Sequence, residues 1–282
     1  MGNDFKSVFT ILTIAVTVNC SILGFKSSAF VERFIFCPAY ILRDKQYYRL
    51  FTSGFLHADW LHLLFNMYSL YAFGRNLELF IGPTKFLTIY FASIIGGNSL
   101  SLFLHRHHVY RAYGASGGVC GILFASIFLL PGGEVGLFLL PFSMPAWLYA
   151  ILFILSSFYG IRNKNDNIGH DAHFGGAIIG LLVTTAFYPQ IVRYSLYLYL
   201  TVLLLSVLIL IYLVKNPLFL PLSSFLQSRP SQEMPSAKSK LTREQETHRV
   251  NALLDKISQS GMQSLTKEEH NFLLKASRTN KR

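Results

Sequence analysis

Charged side chains are scarce in this sequence, at 14% of 282 residues. An ordinary soluble domain carries about 25%, so a conventional water-facing surface is excluded. Cysteine is nearly missing as well. Cys20, Cys37 and Cys120 are odd in number and none shows CxxC spacing, so neither a disulfide framework nor a cysteine zinc site is predicted. HExxH does not occur, and the HxxH of His170 and His173 has no glutamate to complete a zincin-type centre. No metal and no cofactor are therefore expected. Acidic residues are outnumbered 14 to 25 by Lys and Arg, for a net charge of +11. From Lys215 to Arg282, twelve basic residues face six acidic ones. The acids are interspersed and no aromatics alternate with the basic residues, so a nucleic-acid surface is not predicted.

What the chain has in abundance is long apolar runs. Hydrophobic residues make up 52% of it, and seven runs are candidate membrane spans: 8–25, 61–80, 86–104, 116–130, 146–161, 172–188 and 194–214. A bilayer core of about 30 Å takes about 20 residues of helix. The fourth run reaches only ~22 Å at 1.5 Å per residue. A helix that short fits a bundle if one end stops below the surface and the chain there lines a wet cavity. The start has one lysine before its apolar run and no clear small-residue cleavage site, so no cleavable signal peptide is expected. After the last run, residues 215–240 are rich in Pro and Ser and read as a linker. Residues 241–282 read as a small basic two-helix tail, with Thr266 and Glu269 in capping-box spacing.

Polar groups inside a membrane bundle are costly, so each is a functional candidate. Three segments carry them. In "HADWLHLLFN", His62 and Asn66 are i and i+4 and share a helix face; interhelical hydrogen bonding is the plainer role for such residues. In "GASGGVCG", Gly114 permits a turn and Ser116 opens the helix, where a serine is ordinarily an N-cap. Gly117 and Gly121 then form a smooth ridge that admits a second backbone. In "HDAHFGGAIIG", Gly176 and Gly180 lie on the face of His173. Two glycine ridges packed together would bring Ser116 and His173 within hydrogen-bond reach, the arrangement that activates a serine nucleophile. His62, Asn66 and the Ser116 N–H are then candidate oxyanion donors.

These residues resemble the rhomboid family of intramembrane serine proteases over roughly residues 48–188. "GASG" resembles its GxSG, "AHFGGAIIG" its AHxxGxxxG, and "HADWLHLLFN" its HxxxxHxxxN. Tyr48–Arg49 stands where many members have WR, and Gly74 and Glu78 match a GxxxE. The resemblance implies an all-α polytopic membrane protein with a six-helix core in residues 1–190, plus a seventh C-terminal transmembrane helix at 191–214. It implies intramembrane cleavage by a Ser116–His173 dyad without an aspartate. The oxyanion hole would be His62, Asn66 and the Ser116 amide, with His57 bracing the loop of residues 27–56. Gly114, Gly117, Gly176, Gly180, Arg49 and Glu78 would support the site.

The chain departs from the family at Cys120, where many members place an aromatic ring on the catalytic histidine. Cysteine cannot stack, so Cys120→Tyr or Cys120→Phe is expected to be tolerated. The family orientation puts the active site and the tail outside. The count of Lys and Arg runs the other way, four on the would-be inner loops against nine on the outer, and the positive-inside rule would invert the molecule. The family orientation is preferred here because the first loop is expected to pack in the interface. The predicted partners are transmembrane protein substrates, the lipid bilayer and an unidentified partner of the tail. The predicted location is the cell (inner) membrane. Two other functions compete: an inactive rhomboid relative that escorts membrane clients, and a transporter. The first would typically lack the serine or the histidine. The second would leave the GxSG and AHxxG pair unexplained, and no inverted repeat supports it.

Overall fold

The computed structural model describes residues 7–136, 143–163, 168–216 and 237–279. Helix α1 (Val8–Lys26) runs into three short helices, α2 (Ser28–Phe34), α3 (Pro38–Leu42) and α4 (Arg49–Thr52), and a 3-10 turn at Ser53–Phe55. Then come α5 (Trp60–Ile81), α6 (Pro83–His105) and α7 (Ser116–Leu129). An antiparallel hairpin of β1 (Glu134–Gly136) and β2 (Ser143–Pro145) leads to α8 (Ala146–Asn163) and α9 (His170–Phe187). The short α10 (Ile191–Tyr194) and the long α11 (Leu196–Lys215) follow, and α12 (Ala237–Ser260) and α13 (Lys267–Thr279) form the tail. The seven runs read from the sequence are the seven long helices of an all-α, polytopic membrane bundle. The short helices and the β-hairpin have no counterpart in that reading, because they are too short for a periodic pattern. Most of the Pro/Ser-rich linker, and the last residues of the tail, lie outside the described residues.

Among the described helices, α1, α6 and α11 are long and apolar enough to cross a membrane alone. The others depend on the bundle. At 14 residues α7 is ~21 Å long, and most of its residues are buried among α5, α6, α8 and α9. It needs little lipid-facing surface of its own. The outer helices are inverted relative to a soluble protein. On α1 the buried face is Thr10, Thr13, Thr17, Ser21 and Gly24, while Val8, Ile11, Leu12, Val16 and Leu23 are exposed. Small and polar residues pack helix to helix in lipid, and apolar ones face the chains.

Glu78 holds the start of α1. Its carboxylate, buried in α5, accepts from Phe9 N (3.0 Å), Thr10 N (2.7 Å) and Thr10 Oγ1 (2.7 Å). It thus satisfies two of the orphan N–H groups of the α1 N-terminus from another helix. One turn away, a Cβ on Gly74 would lie 3.2 Å from Thr10 Cγ2, so the glycine sets the same contact. Glu78→Ala leaves buried donors unmet. It is expected to cost about 2–3 kcal/mol, read as a lower thermal midpoint in detergent.

The tail hairpin is held by its own contacts. Thr266 N donates to Glu269 Oε2 (2.8 Å) and Glu269 N to Thr266 Oγ1 (3.2 Å), the reciprocal capping box expected from the sequence. Lys256 Nζ donates to the same carboxylate, and Arg249 lies over the Phe272 ring. The Lys256 hydrogen bond, with the Thr266 amide, holds the Glu269 carboxyl below the usual glutamate range.

Candidate active site

The site is at the end of the bundle where α5, α7 and α9 begin. Ser116 is the first residue of α7, and Ala115 before it is the N-cap, with no side chain capping the helix. The ordinary N-cap role for Ser116 is therefore excluded, and its hydroxyl is left for other use. Gly114 has φ of +151°, a conformation that L side chains rarely adopt. A Cβ there would sit 3.0 Å from His62 Cε1, 3.1 Å from His62 Nε2 and 3.6 Å from Ser116 Oγ. The glycine is the gap across which His62 and Ser116 face each other.

The glycine ridges on α7 and α9 meet as their spacing predicts. A Cβ on Gly176 would overlap Gly117 O and lie 2.7 Å from its carbonyl carbon and 2.8 Å from its Cα. A Cβ on Gly180 would lie 2.6 Å from Gly121 O. At the top of the crossing, the carbonyl oxygen of Ala172 lies 3.3 Å from where a Gly117 Cβ would be. Ser116 precedes Gly117 and His173 follows Ala172, so both half-buried residues flank this backbone contact.

Two histidines follow on the neighbouring segment, their ring centroids 4.9 Å apart. Ala58 N donates to His62 Nδ1 at 3.4 Å, a long bond. In a neutral ring this assigns the proton to Nε2, the atom facing Gly114 and Ser116. His57 accepts from Ala115 N at Nε2 (3.4 Å), and its Nδ1 is 2.9 Å from Ser21 Oγ, which donates to Phe55 O (3.0 Å). Burial, with His62 beside it, pushes the His57 pKa down to about 3, so the ring stays neutral and able to accept. The resemblance implies a brace on the loop of residues 27–56. Through Ser21, His57 links α1 to Phe55 at the end of that loop, and through the Ala115 N–H it reaches the residue before Ser116. Asn66 is buried one turn below His62 and donates Nδ2 to His62 O (2.9 Å), which leaves its second amide N–H.

Arg49 and Glu78 lie apart from this cluster. Arg49 is buried and donates Nη1 to Glu32 O (2.8 Å) and Ile35 O (2.7 Å), holding the loop between α1 and α5. Glu78 anchors α1 near the far end of α5.

A buried acid was missed in the sequence. Asp171, two residues before His173, pairs with His105 Nε2 (3.1 Å) and accepts from Tyr110 OH (3.3 Å). The Tyr110 ring stacks on His105 at 3.7 Å. Burial, with the Asp171 carboxylate, holds the Tyr110 phenol well above the usual tyrosine range, so it remains a donor. An acid in the first turn of an apolar helix was the available signal.

Cys120 is buried in a cluster with Phe124, Phe174 and Ala150, and Tyr149 of α8 packs on the same cluster. Cys120 is only 7% exposed, so a larger side chain there must displace packed neighbours. Cys120→Tyr is now expected to overpack, at about 1–3 kcal/mol, seen as a lowered thermal midpoint.

A bundle of spanning helices with a serine, two histidines and an asparagine near one end defines a polytopic membrane protein with an internal polar site. The chain belongs to the rhomboid family: residues 44–190 match the Rhomboid domain. Residues 238–279 match a second family, DUF6576, described as a family of unknown function. The chain is 35% identical to "RHOMBOID-like protein 12, mitochondrial" of Arabidopsis thaliana, over 47% of this chain and 44% of that protein. It is 29% identical to "Rhomboid protein 1, mitochondrial" of Saccharomyces cerevisiae, over 52% and 45%. It is also 29% identical to "Rhomboid protease GluP" of Bacillus subtilis, over 52% and 27%. The chain spans about half the length, or less, of these relatives.

Proposed function

We propose that this protein is an intramembrane serine endopeptidase acting on transmembrane or membrane-proximal segments of other membrane proteins. The observation that carries the reading is the glycine crossing of α7 and α9, which sets Ser116 and His173 on either side of one backbone contact. In this mechanism Ser116 Oγ attacks the scissile carbonyl as His173 takes its proton. The oxyanion accepts from the Ser116 N–H, from His62 Nε2–H and from Asn66. The uncapped start of α7 adds its positive end. His173 then protonates the leaving amine, and water hydrolyses the acyl-enzyme. The hydroxyl lies at a sunken helix start because the scissile bond is within or beside the bilayer. We place the protein in a cell (inner) membrane, with the site and the tail on the outer side.

Labelling with a fluorophosphonate probe tests the reading. Wild type should react at Ser116, and Ser116→Ala should not. Asn66→Ala should still take the label, while cleaving a transmembrane reporter about 10²–10³-fold more slowly, the usual loss for one oxyanion donor. Cleavage at the wild-type rate would reduce Asn66 to helix packing.

A further inference from the structure

The tail packs against the loop that feeds the catalytic turn. Asp255 Oδ1 of α12 is 3.1 Å from His108 Nε2, with the two side chains only 14% and 11% exposed. One turn earlier, Asn251 Oδ1 accepts from Val109 N at 3.5 Å, and Asn251 is itself buried. Residues i and i+4 of one helix therefore grip two consecutive residues of the loop between α6 and α7. The same loop is pinned on its other side. Phe36 N donates to Ala112 O (3.0 Å), Ala112 N to Phe36 O (3.2 Å), and Gly114 N to Ser53 O (3.0 Å). The tail bonds fall on His108 and Val109, just before Tyr110 in the chain. The His108 ring lies edge-on to His105 at 5.8 Å, and His105 and the adjacent Tyr110 both engage Asp171 in the first turn of α9. Seven spanning helices bring the chain back to the face where α7 and α9 begin, so the tail is on the side it needs to be.

We infer that the C-terminal helical hairpin, residues 237–279, is an intramolecular brace of the active site. Through Asn251 and Asp255 it holds His108 and Val109, and through the His105–Tyr110–Asp171 network it sets the first turn of α9 and the tilt of His173. Asp255, Asn251 and His108 are positioning residues. They touch neither substrate nor reacting atoms. The inference rests on the reading of Ser116 and His173 as the reactive pair.

The experiment uses the full chain in detergent with Asp255→Ala, His108→Ala, the double variant, and Asp255→Asn, which keeps the shape and removes the charge. Hydrogen–deuterium exchange reports docking: the Val109 amide should exchange about tenfold faster in Asp255→Ala, as for one lost charged hydrogen bond. Fluorophosphonate labelling of Ser116 should slow about tenfold in either single variant and no further in the double, as partners acting as a unit require. For a transmembrane reporter, kcat should fall while KM holds, and Asp255→Asn should fall between wild type and Asp255→Ala. Faster exchange with unchanged labelling would show a docked tail that positions nothing, and would overturn the brace. Unchanged exchange at Val109 would overturn it at the first contact. A wild-type chain that takes no label sinks the Ser116–His173 reading itself, and the brace falls with it whatever the exchange shows.

Discussion

Ser116→Ala and His173→Ala should each reduce cleavage of a transmembrane reporter by about 10⁴-fold or more, and the double variant should be no worse than either single one. The non-additivity is the sharper half of the prediction. A nucleophile without its base, or a base without its nucleophile, leaves the same residual activity, since each acts only through the other. Both side chains are half-buried at the starts of their helices, and neither is one of the glycines packed at the α7–α9 crossing. The alanine variants should therefore keep a wild-type thermal midpoint. Multiplicative losses would mean that the two residues act separately, and cleavage surviving in Ser116→Ala would move the chemistry elsewhere.

Gly176→Ala should be nearly as damaging without touching a reacting group. Its Cβ would press on the carbonyl carbon and Cα of Gly117, at 2.7 and 2.8 Å, and a backbone cannot swing away as a side chain can. The helices α7 and α9 must separate, at a cost of at least the ~1–3 kcal/mol typical of overpacking. A displacement of ~1 Å between a nucleophile and its base is enough to cost about 10²-fold in rate. Both readouts should change, with a lower midpoint in detergent and at least a hundredfold loss of cleavage. Gly136→Ala is the control, because nothing lies within 4 Å of its Cβ position. Wild-type activity in Gly176→Ala would show that the spacing of these helices does not set the geometry of the pair.

The span pattern was legible in the sequence because lipid imposes a long, contiguous signal. Each run of apolar residues became a helix whose ends shifted by only a few residues. The glycine ridges were legible for a related reason, since a helix fixes which residues share a face before any partner is known. Ser116 was ambiguous. A serine at the start of an apolar run reads as an N-cap, and only the backbone at Ala115 shows that the cap lies one residue earlier and leaves the hydroxyl uncommitted. The resemblance marks His57 as a brace, but its partners, Ser21 and the Ala115 amide, lie 36 and 58 residues away along the chain and cannot be read from its spacing.

The sequence by itself determined the helical membrane class and which faces carry glycine, histidine and serine, since periodicity and apolar length are local properties. Tertiary structure alone decided three things: that Glu78 caps α1, that Asp171 is enclosed by His105 and Tyr110, and that α12 grips His108 and Val109. Each is a polar contact between segments distant in sequence. Its strength depends on burial and on sub-ångström alignment, which residue spacing along a single helix does not encode.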